Sequence, residues 1–277
     1  MACVLNSFFP RQGSLKRKPV PIITAAFFVA TLSCSRVPNR PAQAPQPSNR
    51  TEGPIRSPSG KIYTRTRAGS ADHDEQIETP SVARGAPASA DDYAGTARKA
   101  AKLSVATGPI HTFPNLAAVL ASLVPDAQMR AKHISSGADS GRIPQEEMVV
   151  TVSAFLYASS RERDNDFHCI VGSDRSLPTH LMNVEVSGLP PSGSPFRATL
   201  KSARDQFKAF FTTNQNALPT DGYDKYDPPI PVQIVGSLFF DVDHPLGEVG
   251  PVGLKPQTSW EIHPVSDIQF EPASLRP

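Results

Sequence analysis

Between residues 147 and 270 the apolar residues change period in a set succession, and that succession limits the fold more than any other feature of the chain. In 147–157, Met148, Val150, Val152, Ala154 and Leu156 share one face at a spacing of two, the period of a half-buried strand. Phe167, Cys169 and Val171 repeat that pattern, and so do Met182, Val184 and Val186. The period then switches. Phe196, Leu200, Ala203, Phe207 and Phe210 step by four, three, four and three, one stripe of an amphipathic helix. Ser194-Pro195 reads as its N-cap and first helical position. Residues 214–231 read as a polar, proline-bounded loop. A fourth strand is expected over 232–240 and a fifth over 259–270, where Pro264 marks a bulge or an edge. Strand, strand, strand, helix, strand, strand is the succession of the mostly β, five-stranded OB-type barrel, whose helix plugs one end. An open α+β sheet with one helix is the competing arrangement.

Upstream the pattern weakens. Residues 94–103 allow a helical turn or two, 115–123 a short helix between Pro114 and Pro125, and 129–134 a lead-in strand. Residues 35–94 are crowded with Pro, Ser, Ala, Arg and Thr. Such a composition buries too little apolar surface to offset ordering entropy. The expected organisation is a targeting segment over 1–34, a disordered tether over 35–104 and one barrel domain over 105–277.

The first segment has the form of an address. Arg11, Lys16, Arg17 and Lys18 precede an apolar run of about eleven residues, 22–32. That run suits the h-region of a secretory signal and is short for a membrane span. Small residues at 33–35, or Ala42-Gln43-Ala44 further on, offer cleavage points. Thr31-Leu32-Ser33-Cys34 also resembles a degraded lipobox, which makes Cys34 a candidate lipid anchor. The expectation is an exported chain, periplasmic, extracellular or lipid-anchored to the envelope, that meets a membrane only through this segment. Cys3 and Cys34 lie in or beside it, so Cys169 stands alone in the barrel and reads as a small buried hydrophobe.

Three short runs carry a resemblance. Val152-Ser-Ala-Phe-Leu-Tyr157, Asp164-Asn-Asp-Phe-His168 and Trp260-Glu-Ile-His-Pro-Val265, with Gly236-Ser-Leu-Phe-Phe-Asp241 between them, resemble a group of uncharacterised exported bacterial proteins that close on W-E-I-H-P-V. The resemblance covers 147–270. It implies an OB-type barrel and no established activity.

An OB barrel usually meets its ligand on the outer face of its second and third strands and on the loops joining strands one to two and four to five. On that plan Arg161, Asp164, Asp166, His168, Glu185 and Trp260 are the candidate ligand-binding residues, Trp260 having packing as its simpler role. Asp166, His168, Asp241, Asp243, His244, Glu261 and His263 form three carboxylate–imidazole groups that could converge on one rim. Mixed oxygen and nitrogen donors suit a divalent cation. The competing reading is that aspartates flank strands because they favour turns.

Charge separates the functional classes. After Val105 the chain holds 13 basic and 19 acidic residues, which disfavours a phosphate backbone as partner. No G-x-S-x-G element and no glycine-rich phosphate loop occurs. The first expectation is therefore a non-catalytic module binding an unknown envelope ligand or protein. The alternatives are a metal-dependent hydrolase of phosphodiesterase or nuclease type on the barrel rim, and single-strand nucleic-acid binding.

Overall fold

The computed structural model describes residues 51–68, 91–213 and 217–275. In chain order these form β1 (Thr51–Arg56), β2 (Ile62–Arg67), α1 (Lys99–Lys102), β3 (Ile110–Phe113), α2 (Leu116–Ser122), α3 (Asp126–Arg130), β4 (Val149–Arg161), β5 (Phe167–Gly172), β6 (Met182–Val186), α4 (Arg197–Thr212), β7 (Asp224–Phe240) and β8 (Trp260–Phe270). No helix among the described residues is long and apolar enough to cross a membrane. The targeting segment expected over 1–34 lies outside the described residues, as does most of the expected tether.

The strands make one sheet in the order β1-β2-β7-β8-β6-β5-β4-β3, and β7 also pairs with β4. That extra pairing closes β4, β5, β6, β8 and β7 into a barrel. Within it β6 and β8 run parallel and every other pair is antiparallel, the strand order of an OB-type barrel. Closure removes the unpaired edges that an open sheet would leave.

The alternating residues point inward as the period requires. Val150, Val152, Ala154, Phe167, Cys169, Met182, Val184, Val232, Ile234, Trp260 and Ile262 belong to one buried cluster. α4 closes the base of the barrel with Phe207 and Phe210. Phe207 lies 4.7 Å from the Phe167 ring, and Phe210 stacks on Phe270 at 4.1 Å. Ring pairs at these distances add about 0.5–1.5 kcal/mol beyond area burial.

Several elements depart from the sequence reading. α4 begins at Arg197. Ser194 instead shapes a turn before it, accepting from the Phe196 amide through its hydroxyl and from the Arg197 amide through its carbonyl. The strand expected over 129–134 does not form: residues 131–134 are turn and coil, and 129 and 130 belong to α3. Asp126 in its first turn suits the positive helix end and accepts from Thr258 Oγ1 and the Ser259 amide, while Met129 is buried. The loop expected over 214–231 is partly strand, because β7 starts at Asp224. Pro228 and Pro229 fall where the β4 register jumps from Leu156↔Ile230 to Ala158↔Lys225, so no ladder bond needs the amides they lack. The expected tether is also too long. β1 and β2 form a hairpin whose inner strand pairs with Asp224–Asp227 of β7. Tyr63 is buried there and donates to Glu271 Oε1 at 2.5 Å.

Pro264 does mark a bulge. The β7–β8 register shifts on either side of Gly236, from Val235↔Asp267 to Gly236↔Val265 and then Leu238↔Ile262. A Cβ on Gly236 would sit 2.5 Å from Ile262 Cγ2 and 2.8 Å from the Pro264 carbonyl oxygen. Gly236→Ala is expected to lower unfolding free energy by about 1–3 kcal/mol through this overpacking, read from urea midpoints. An unchanged midpoint would refute the close approach.

The barrel also holds residues 91–95. Asp92 and Leu189 form a β-bridge, and the Tyr93 amide donates to the Leu189 carbonyl. Asp91 meets Arg204 Nε at 3.1 Å and Lys208 Nζ at 2.7 Å on α4. Burial alone would raise the Asp91 pKa, but Lys208 and Arg204 outweigh it and hold the carboxyl below its ordinary value. A depressed carboxyl contributes stability above its unfolded pKa and loses it as pH falls through the folded one. Asp91→Asn should therefore cost about 1 kcal/mol at neutral pH. The gap to wild type should close below the carboxylate range, and a gap independent of pH would count against the ion pairs.

Candidate metal centre

Parity and register assemble the site. Inward residues of β5, β6 and β8 leave His168, Asn183, Glu185, Glu261 and His263 on the outer face. Antiparallel pairing sets His168 opposite Glu185, and parallel pairing sets Asn183 opposite Glu261. His263 follows two residues after Glu261, on the same face. The β4–β5 turn adds Asp164 and Asp166, and the end of β7 adds Asp241 and His244.

This face is closed to solvent. The segment 91–106 crosses it as a strap, from the end of β6 to the end of β7. Ala94 donates to the Asp164 carbonyl, and Ala106 donates to Ser237 Oγ. Gly188 makes the crossing possible, since a Cβ there would lie 2.7 Å from Tyr93 Cα. Arg98 clamps the middle of the strap. It forms a two-pronged pair with Glu146 at 2.6 and 2.8 Å, donates to the Phe240 carbonyl and lies 4.7 Å over the Phe239 ring. Arg142 ties strap to strands by donating to the Ser104, Leu238 and His263 carbonyls. Under this cover His168, Glu185, Asp166, Asp241, Glu261 and His263 are all at most 2% exposed.

The ligand atoms crowd together. Glu185 Oε2 is 2.6 Å from His263 Nδ1, Glu185 Oε1 is 3.0 Å from His168 Nε2, and Asp166 Oδ2 is 3.4 Å from His263 Nε2. Asp241 Oδ2 is 2.9 Å from His244 Nδ1, and Lys102 Nζ lies 3.8 Å from the same oxygen. Asn183 Nδ2 bridges the two halves, donating to Glu185 Oε1 at 2.7 Å and Glu261 Oε1 at 2.9 Å. Yet both nitrogens of His263, Glu185 Oε2, Asp166 Oδ2, Asp241 Oδ2, His244 Nδ1 and Glu261 Oε2 make no hydrogen bond. They are close without the N–H···O alignment that would make the contacts bonds. The 2.6 and 3.4 Å contacts engage opposite nitrogens of His263, of which one can serve a given ion; taking one ligand atom from each of Asp166, Glu185 and His263, the three lie within 4.8 Å of one another.

Charge points the same way. Asp164, Asp166, Glu185, Asp241 and Glu261 are buried together, with Lys102 the buried ammonium among them; Arg98 is engaged by Glu146. Burial, then Asp164 and Glu185, push the Asp166 carboxyl well above its ordinary pKa, and burial, then Glu185 and Asp241, do the same to Glu261. Burial opposes ionisation of Glu185 as well, but His168 and His263 hold it well below the usual range. Burial is likewise outweighed at Asp241, which His244 and Lys102 hold low. Unpaired buried charge is costly, so such a nest takes up either protons or a cation. Among the described residues two triads have ligand atoms mutually within 4.8 Å: Asp166, Glu185 and His263, and Asp241, His244 and Glu261.

Of the residues singled out from the sequence, His168, Glu185, Asp164, Asp166, Asp241, His244, Glu261 and His263 gather in this cluster. Asp243 does not. It is exposed, and its amide only donates back to Asp241 Oδ1. Arg161 stays outside, donating to Asn165 Oδ1 and covering the edge of Phe167. Trp260 is a core residue whose Nε1 donates to the Val124 carbonyl. The exposed large apolar side chains among the described residues are Ile62, Ile110, Leu177, Leu246 and Val252. Sequence reasoning missed Lys102, Arg98 and Asn183. The first two sit in 94–103, where the apolar pattern is weak and allows only a helical turn or two, and a lone asparagine on a strand carries no signal of its own.

Removing one partner of a buried pair strands the other charge and costs about 3–5 kcal/mol. Arg98→Ala should lower stability by that order. Amides of 94–106 should then exchange faster than those of β4 and β7; uniform acceleration would mean the strap is no separate unit. No family model, curated protein or solved structure matches the chain.

Proposed function

We propose that this chain is a cation-dependent binding module, an OB-type barrel whose usual ligand face is filled by its own strap and fastened by a divalent ion. The observation that carries the reading is the triad Asp166, Glu185 and His263. It offers three buried ligand atoms within 4.8 Å of one another, and Asp166 Oδ2, Glu185 Oε2 and both His263 nitrogens have no hydrogen bond. His168 Nε2 lies 3.0 Å from Glu185 Oε1, beside the triad and outside its set of mutually close ligand atoms. An imidazole with two carboxylates suits Zn²⁺ or a similar first-row ion better than Ca²⁺. Asn183 and the Gly188 amide, which donates to Asp166 Oδ1, would orient the carboxylates from behind.

The reading favours holding over turnover at this triad. A hydrolytic metal needs a coordination position that a substrate can reach, and here the strap and the strands enclose every ligand. Binding to a partner would then use surfaces outside the buried face. The basic run and apolar stretch at 11–32 support an exported chain carried on a tether in the envelope, with Cys34 as the point for lipid attachment. An envelope protein or ligand is accordingly the class of partner proposed.

The full-length protein, purified without chelator, should contain at least one equivalent of a first-row divalent metal by elemental analysis. Its melting temperature should fall on chelation and return on re-addition. A ligand present at 100 times its dissociation constant stabilises by about 2.7 kcal/mol, a shift of several degrees. Metal-free protein whose melting temperature ignores chelator and added Zn²⁺, Mn²⁺ or Co²⁺ would overturn the proposal.

A further inference from the structure

The second triad differs from the first in one physical respect, which is access. Asp241, His244 and Glu261 present ligand atoms mutually within 4.8 Å. Each carboxylate uses one oxygen internally and leaves the other aimed inward. Asp241 Oδ1 accepts from the Asp243 and His244 amides, at 2.7 and 3.3 Å. Glu261 Oε1 accepts from Asn183 Nδ2 at 2.9 Å. Asp241 Oδ2 faces His244 Nδ1 at 2.9 Å and Lys102 Nζ at 3.8 Å. Asp241 Oδ2, His244 Nδ1 and Glu261 Oε2 are buried without an aligned hydrogen bond. For Glu261 Oε2 the imidazole at hand is His263, with Nδ1 3.8 Å away. The loop that carries His244 is pinned, because the His244 carbonyl accepts from Arg130 Nη2 and Ser259 Oγ.

Unlike the first triad, this one borders a crevice. Asn183, His244, Thr258, Ser259 and Glu261 line a space of about 10 Å³, close to the room that one water needs. Thr258 also forms the wall of a groove of about 720 Å³ bounded by Leu120, Leu123, Val124, His180 and Lys255.

We propose that Asp241, His244 and Glu261 hold a second divalent cation of the first-row type, with a coordination position that faces the crevice and accepts water or an anionic oxygen arriving from the groove. This rests on the same buried face as the first site but not on that site being filled. Three protein ligands with an open position are what an exchangeable or catalytic ion has, and a site enclosed on all sides is what a fastening ion has. The two triads thereby divide the labour, one tying the strap down and one presenting a Lewis acid to the groove.

The test is a Co²⁺ and Zn²⁺ titration of the chelator-stripped full-length protein, with its visible spectrum followed as inorganic phosphate is added. Two equivalents are expected in wild type. One should be lost in His244→Ala and in Asp241→Asn, and the other in His263→Ala, with melting curves confirming that each variant folds. Phosphate should perturb the Co²⁺ bands of wild type and of His263→Ala, and leave those of His244→Ala unchanged. A single equivalent in wild type that survives both His244→Ala and Asp241→Asn would overturn the second site and leave the fastening site standing. A single equivalent lost in those variants and kept in His263→Ala would support the second site and overturn the first. No bound metal overturns both, and two equivalents without a phosphate response overturn the open position.

Discussion

Negative charge walled in between the barrel and its own strap is the constraint from which the rest of the structure follows. Five carboxylates are buried side by side under the strap, with Lys102 as the ammonium among them. Such a group is not a stabilising core, because transferring charges out of water costs several kcal/mol each unless they are paired. The surrounding architecture serves to hold it. Arg98 pairs with Glu146, Arg142 draws three carbonyls together, and Asn183 sets two carboxylates side by side. The face is over-supplied with acceptors and short of donors, and a cation meets that imbalance where more hydrogen bonds cannot.

A barrel of this type normally presents the outer side of its second and third strands to a ligand. Here the same side is present with its polar parity intact, and the chain has turned it into an interior. The strap behaves as a ligand supplied in cis. It adds a β-bridge at Leu189, an ion pair at Glu146 and an ammonium at Asp241. Fold and function therefore separate in the usual way. The barrel predicts where polar groups gather, while the strap decides what can reach them.

The barrel was legible because its signal is local. Period-two runs and one helical stripe each span a few residues, and their succession names the topology. The polar cluster was legible in part for the same reason, since parity assigns His168, Glu185, Glu261 and His263 to the outer face without any knowledge of pairing. What stayed hidden depends on distance along the chain. Lys102 and Arg98 belong to a segment rich in Ala whose order comes from contacts made far away. The hairpin β1–β2 has only Ile55 and Tyr63 as buried apolar anchors, too few to register as a pattern. Asp243 misled because Asp-x-Asp gives two carboxylates, while the turn that follows β7 directs only Asp241 inward.

The strap also sets a route of exchange. Arg98 reaches Glu146, 48 residues on, and the Phe240 carbonyl, 142 residues on, and Asp91 reaches Arg204 at a separation of 113. These anchors are few and long-range, so local opening can lift the strap while the barrel strands stay paired. Whatever the finished protein encloses there exchanges with solvent through that opening.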